Sequence, residues 1–240
     1  VLLLQGYYGG VLNTGNGALS VSRTQFINNS ALVGGQGGTI YSFDHAGASF
    51  TNCTWRNNSA YQGAAVYAAT YGSVATWAFE NCIFAGNTAD QQGAAVWTSG
   101  TNLTFVNTVI SDNRALLAAG VFASNAGSQL PLAISMEDCK LQRNSANQSA
   151  GVAWIKGYSN VSLSKCSITA NRAGQTAAGL YFLETPARLS SCVLAGNAAR
   201  MAPALALQGS NSSVRAVDSR FVDNVVCCLW VCWEAFCLGM

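Results

Sequence analysis

Apolar and polar positions repeat along this chain in a fixed order. In the clearest copy, residues 50–66, the apolar side chains Phe50, Cys53 and Trp55 lead to Asn58. Ala60 follows, and Gly63-Ala64-Ala65-Val66 opens the next segment. The order recurs as Phe79, Cys82, Phe84, Asn87, Ala89, Gly93 and Val96, and again as Met136, Cys139, Leu141, Asn144, Ala146, Gly151 and Val152. Further copies read Leu163, Cys166, Ile168, Asn171, Ala173, Gly179 and Leu180, then Leu189, Cys192, Leu194, Asn197, Ala199 and Leu205. The closing residues are Asn29, Asn58, Asn87, Asn113, Asn144, Asn171, Asn197 and Asn224, at spacings of 29, 29, 26, 31, 27, 26 and 27, a mean near 28. A period of this size predicts a solenoid.

Counted from each asparagine as position 0, positions −5 and −3 alternate with polar neighbours, which is the period of two of a strand with one buried face. Position +2 is Ala in seven copies and Val226 in the eighth, a small residue suited to a tight turn whose copies stack. The glycine that follows in several copies fits a backbone with positive φ or very close approach. A second strand comes next, such as AAVYA or AGLYFL. Each unit therefore reads as two strand-like parts and a variable connection. Connections such as Tyr71-Gly72-Ser73 and residues 124–131 are rich in turn formers and read as surface loops.

Two solenoids end a unit on asparagine. The leucine-rich repeat matches positions −8, −5, −3 and 0 in outline, but leucine does not dominate here and the second half is strand-like. The left-handed β-helix needs a hexapeptide period, which is absent. The expected fold is all-β, a right-handed parallel β-helix of about eight coils over residues 1–224, its coils about 4.8 Å apart.

The pairing of F-x-x-N with G-G-A-[ILV] resembles the repeats of chlamydial polymorphic outer membrane proteins and related autotransporter adhesins. Here the first motif stands at Phe26–Asn29, Trp55–Asn58 and Phe84–Asn87, and the second at Gly37-Gly38-Thr39-Ile40, Gly63–Val66 and Gly93–Val96. The resemblance spans Gly9 to about Asn224, and later copies drift to Ala-Gly-Val, Ala-Gly-Leu and Pro203-Ala204-Leu205. It implies a right-handed β-helix of pectin-lyase-like shape, displayed at a surface for adhesion.

Charged residues make up 9% of the chain, against about 25% in globular proteins generally. Net charge is +2, so nothing predicts capture of nucleic acid or of an anionic membrane. Seven N-x-S/T triplets, at Asn28, Asn52, Asn57, Asn102, Asn147, Asn160 and Asn211, are compatible with secretion and an extracellular or cell-surface location. The chain opens in mid-repeat, with Gly9-Gly10-Val11 already in the second half of a unit, and reads as a fragment of a longer protein. Residues 225–240 abandon the pattern: they hold four cysteines, Cys227, Cys228, Cys232 and Cys237, without zinc-site spacing, in a stretch short of the roughly 20 apolar residues that span a bilayer. That tail reads as a cap, a truncated membrane segment or an artefact of the gene model.

The asparagine column is the most regular polar feature. Inward-pointing amides could bond to the coils above and below as a structural ladder. Cys53, Cys82, Cys139, Cys166 and Cys192 share position −5, where other copies carry Thr or Ser, so they read as a structural column of free buried thiols. An enzyme on this scaffold would need clustered carboxylates. The candidates Glu137, Asp138 and Asp218 do not meet an acid on a neighbouring coil; Asp138 faces Asn107 on one side and Lys165 on the other. Asp112 and Arg143 share position −1 on successive coils and read as a surface pair. His45, the single histidine, lies with Asp44 in a loop. No catalytic residue, metal or cofactor is expected. The functional expectation is a structural or adhesive rod that meets polysaccharide or a cell-surface protein, with no membrane span within the repeats. The alternative is a fragment of a polysaccharide lyase or hydrolase whose catalytic coils lie elsewhere.

Overall fold

The computed structural model describes residues 5–14, 17–44, 47–70, 74–125, 131–158 and 160–227. Among these, every regular element is a strand. The strands form four parallel sheets, one of nine strands and three of eight. They wind as a right-handed solenoid of about 7 turns with a repeat of about 27 residues. One coil shows the plan. Ala48–Thr51 belongs to sheet 1, Thr54–Arg56 to sheet 2, Ser59–Gln62 to sheet 3 and Val66–Ala69 to sheet 4. Each strand pairs with its counterpart in the next coil, as in the six-residue register of Ala75–Glu80 on Thr101–Val106.

Single left-handed residues divide one sheet from the next. Position −6 has positive φ in all eight coils: Arg23 (49°), Asn52 (56°), Asn81 (53°), Asn107 (47°), Asp138 (52°), Lys165 (53°), Ser191 (54°) and Asp218 (51°). Position −1 repeats this from Asn28 (57°) to Asp223 (49°). One such residue ends the pleat and turns the chain a corner, and the residue after it, at −5 or 0, points into the bore. This corrects two expectations. Position −6 is a bend rather than an outward strand position, and the unit has four short strands rather than two strand-like parts. A third bend falls at Gly37, Gly63 and Gly93, whose φ values are 67°, 61° and 63°. A Cβ on Gly63 would lie 2.5 Å from the Val66 carbonyl oxygen, which favours glycine there, while later coils carry Ala118 (51°), Ala150 (58°), Ala177 (54°) and Ala202 (44°) at the same bend.

The bore is filled by columns. At position −3, Phe26, Trp55 and Phe84 stack with ring centroids 5.2 and 4.5 Å apart, and Ile110, Leu141, Ile168 and Leu194 continue the row. At −8, Phe50, Phe79 and Phe105 stack at 5.1 Å, followed by Met136, Leu163 and Leu189. The alanines at +2 are a further correction: they lie in sheet 3, facing inward, not in a turn. Ala60, Ala89 and Ala115 pack on Ala64, Ala94 and Ala119, so only methyl groups separate sheet 3 from the chain that returns past it.

The asparagines at position 0 form a continuous ladder. The backbone N–H and Nδ2 of each donate to Oδ1 of the asparagine one coil on, from Asn29 to Asn58 (2.9 and 3.0 Å) through Asn197 to Asn224 (3.1 and 2.9 Å). The second Nδ2 hydrogen goes the other way: Asn113 donates to the Phe84 carbonyl at 3.1 Å and Asn144 to the Ile110 carbonyl at 2.9 Å. From Asn29 to Asn197 these residues are buried.

Replacing Asn113 with Ala strands three groups together: the backbone N–H and Nδ2 of Asn87 and the Phe84 carbonyl. At about 1–3 kcal/mol for each buried orphan, urea unfolding should show a loss of at least about 3 kcal/mol. Asn113→Asp keeps the acceptor, loses both donations and buries a charge, and should fare no better. The bends predict the opposite sign. Ala170 is exposed at φ 55°, so Ala170→Gly should raise stability by about 1 kcal/mol in the same assay.

Candidate binding face

The outward positions decide what this rod can do, and three of the carboxylates among them, Asp112, Glu137 and Asp138, stand in small ion pairs. Arg143 holds Asp112 with two parallel bonds, Nε to Oδ1 at 2.8 Å and Nη2 to Oδ2 at 2.9 Å, and the guanidinium keeps the Asp112 carboxyl below its usual range. Lys165 Nζ stands 3.7 Å from Glu137 and 3.9 Å from Asp138. All three of those side chains are at least half exposed, so the cluster contributes little to stability. Asp218 occupies the same bend column three coils beyond Asp138, with Lys165 and Ser191 between them. Asp44 sits on a left-handed bend after sheet 4, and His45 lies outside the described residues. Among the described residues no group of three His, Cys, Asp or Glu side chains could hold a metal ion.

The outward feature that repeats most faithfully is one the sequence reading passed over. In sheet 4, Val66 and Ala68 face the bore and the residue between them faces out. That position holds Tyr41, Tyr67, Trp97, Phe122, Trp154 and Tyr181 on six consecutive coils. The first four rings stack nearly parallel: Tyr41 on Tyr67 at 5.2 Å and 11°, Tyr67 on Trp97 at 4.2 Å and 2°, Trp97 on Phe122 at 6.0 Å and 9°. Trp154 breaks the stack, tilted 52° from Phe122 and 40° from Tyr181. A row of glutamines borders the aromatic row. Gln36 donates to Gln62 (3.1 Å), Gln62 to Gln92 (3.4 Å), and Trp97 Nε1 donates to the same Gln92 oxygen at 3.1 Å. Among the described strands of sheet 4, Lys156 is the one charged residue. The signal was present in the sequence as an aromatic one residue after the apolar start of six of the second strands. Aromatic residues also favour strands in general, so the pattern alone does not mark a face.

Sheet 3 offers a second surface, a shallow groove of about 390 Å³ lined by Thr88, Asp90, Arg114, Leu116, Ser145 and Asn147. It lies where the sheet 3 register slips between Thr88 and Gln92. At the far end of the stack, Leu207, Phe221, Val225 and Val226 are exposed. Residues 228–240, most of the expected cap, lie outside the described residues, and no helix among those described is long and apolar enough to cross a membrane.

The residues singled out by the sequence lie on the inside. Besides the ladder, Cys53, Cys82, Cys139, Cys166 and Cys192 are free and buried at position −5. Each thiol reaches two carbonyls, one two residues back and one on the preceding coil. Cys82 Sγ, for instance, lies 3.3 Å from the Glu80 oxygen and 3.5 Å from that of Phe50. Thr108 makes the same pair of bonds with its hydroxyl, to Val106 (3.0 Å) and Phe79 (3.2 Å). Burial pushes the Cys82 thiol up to about 11. The neighbouring thiols of the column also act on one another: the Cys139 pKa is lowered by Cys166, that of Cys166 is raised to about 12 by Cys139, and that of Cys192 is raised by Cys166 and by burial. A raised folded pKa means the folded state keeps a proton that the unfolded chain loses. This stabilisation is whole below about pH 8.5 and fades for Cys82 as pH climbs towards 11. Cys82→Thr should therefore unfold within about 1 kcal/mol of the parent at pH 7, and lose less stability than the parent between pH 9 and 11 in denaturant titrations.

No curated protein and no solved structure matches the chain. A family model does, the one described as right-handed β-helix region, and it covers residues 8–154. The four parallel sheets, the left-handed bends and the filled bore of the structure agree with that match over its whole length. The chain belongs to the right-handed β-helix family.

Proposed function

We propose that this chain is a non-catalytic adhesive rod of a secreted or surface protein, and that its sheet 4 face holds a polysaccharide of low charge. The observation that carries this reading is the outward aromatic row, kept over six coils on a face with one charge. Inside the bore, repetition follows from stacking. Outside it, most positions vary freely, as in sheet 2, where the middle coils carry Ile83, Val109 and Lys140 in one column. Aromatic rings attract C–H groups through their electron-rich faces, and the apolar faces of sugar rings present such groups in a row. Along most of the ladder the ring faces are covered by one another. Trp154 is the member whose tilt leaves a face unmatched, so it is the centre of the contact, with Phe122 and Tyr181 beside it. The glutamine row lies beside Tyr41, Tyr67 and Trp97, where it would supply amides for sugar hydroxyls at that end of the face.

The test is binding and turnover of the purified chain on a panel of neutral and charged polysaccharides. Binding without release of reducing ends or unsaturated products is expected. Trp154→Ala should weaken it at least 10-fold while leaving the unfolding midpoint within the range of other half-buried aromatic truncations. Turnover would sink the non-catalytic reading and direct attention to Glu137, Asp138 and Asp218. Retention of full affinity by Trp154→Ala would remove sheet 4 as the contact face.

A further inference from the structure

Apart from Asn81, which accepts from Asn107, the asparagines with described side chains fall into two sets. Every ladder asparagine donates its Nδ2 to a neighbouring coil, and so do Asn107, to Asn81 at 2.7 Å, and Asn125, to the Gly157 carbonyl at 3.0 Å. None of these residues begins an N-x-S/T triplet, because position +2 from the ladder is the inward alanine of sheet 3 or, at the end, Val226. The residues that do begin one are Asn28, Asn52, Asn57, Asn102, Asn147, Asn160 and Asn211. Among the described residues none of the seven donates Nδ2 in a hydrogen bond. Asn102 uses only its carbonyl oxygen, accepting from the Ala133 N–H at 2.7 Å. Six of them are exposed and Asn102 is half-buried.

Their placement is also uneven. Asn28 and Asn57 stand on the bend between sheets 2 and 3 (φ 57° and 55°), and Asn52 on the bend between sheets 1 and 2 (56°). Asn102 and Asn160 lie at the start of sheet 1 strands, Asn147 on sheet 3 beside its groove, and Asn211 between sheets 4 and 1. No strand of sheet 4 carries a triplet.

We infer that the chain is N-glycosylated at these free amides, so that sugar chains cover the other sides of the rod and leave the aromatic face of sheet 4 bare. In the step, Nδ2 forms a bond to the anomeric carbon of a lipid-pyrophosphate oligosaccharide. The bond from that carbon to the phosphate oxygen breaks, the lipid pyrophosphate leaves, and one amide proton is released. The co-reactant and its membrane transferase belong to the secretory pathway, so the inference rests on the secreted or surface reading above. A glycan at Asn147 also closes the sheet 3 groove to other ligands, in agreement with sheet 4 as the contact face.

The experiment expresses the full chain behind a secretory leader in glycosylating cells. Protein from medium and from cells is then treated with peptide-N-glycosidase in ¹⁸O water. Expected are a mass that falls by several glycans and ¹⁸O-labelled aspartate at Asn52, Asn147, Asn160 and Asn211 and at one or both of Asn28 and Asn57. Ladder asparagines should stay unlabelled. Asn160→Gln, at an exposed strand start without a left-handed φ, should remove one glycan and leave the unfolding midpoint unchanged. Chain of unmodified mass, in either fraction, overturns the inference. Glycosylated chain held inside the cell supports the modification and counts against the secreted reading, so the two fail separately.

Discussion

Eight amides stacked in one file, seven of them buried, impose the strictest condition on this fold. A primary amide has two N–H donors and an oxygen with two lone pairs, and in the middle of the ladder all four are used. The bonds have a direction, since each Oδ1 accepts from the coil before it while Nδ2 reaches both ways. No other residue can substitute in one coil alone. A shorter side chain leaves orphans on two neighbours, and an acid supplies no donors. The asparagine therefore recurs in every coil while the residues around it change. The rest of the coil is hung from this corner, and length varies away from it, in the connections between sheets 4 and 1 and in sheet 3, where the register slips between coils.

The second condition is backbone geometry. A corner made by one residue needs φ near +50°, which costs an L-residue with a Cβ about 1–2 kcal/mol relative to the right-handed form. Glycine, asparagine and aspartate meet that cost most easily, and they fill most of positions −6 and −1. Arg143, Lys165 and Ala170 accept it instead. The coil is over-determined by its stacked neighbours and its ladder, so single unfavourable residues are carried by the whole.

These two conditions explain what could be read in the sequence and what could not. The columns at −8, −5, −3 and 0 were legible because their side chains lie in the bore, where stacking forces the same type of residue from coil to coil. Cysteine, threonine and serine exchange at −5 because thiol and hydroxyl reach the same two carbonyls. The bends were not legible, because −6 holds Arg, Asn, Asp, Lys and Ser, and a backbone angle leaves no single residue as its mark. Without the bends the division into four sheets could not be seen, and Ala60 and its counterparts looked like turn residues. The aromatic row was visible, but aromatic residues also favour strands in general, and period-two reading asks which side faces in and not what the other side is for.

An outward column is under none of the pressure that fixes the bore. Ring stacking between coils offers a purely structural reason for it, at about 0.5–1.5 kcal/mol for each pair. The geometry of the row separates the two accounts. If mutual stacking were the whole purpose, the parallel contact of Tyr67 and Trp97 at 2° would be repeated along the row. Instead the row runs on through Phe122, Trp154 and Tyr181, where tilts of 52° and 40° give up much of the overlap while the aromatic side chains persist. The neighbouring columns of sheets 1, 2 and 3 carry charges and acceptor triplets, and sheet 4 excludes the triplets and all charges but Lys156. A surface that keeps its rings where stacking is poor, with Lys156 as the one charge in its strands and no acceptor triplet, is better accounted for by what it meets than by what it holds together.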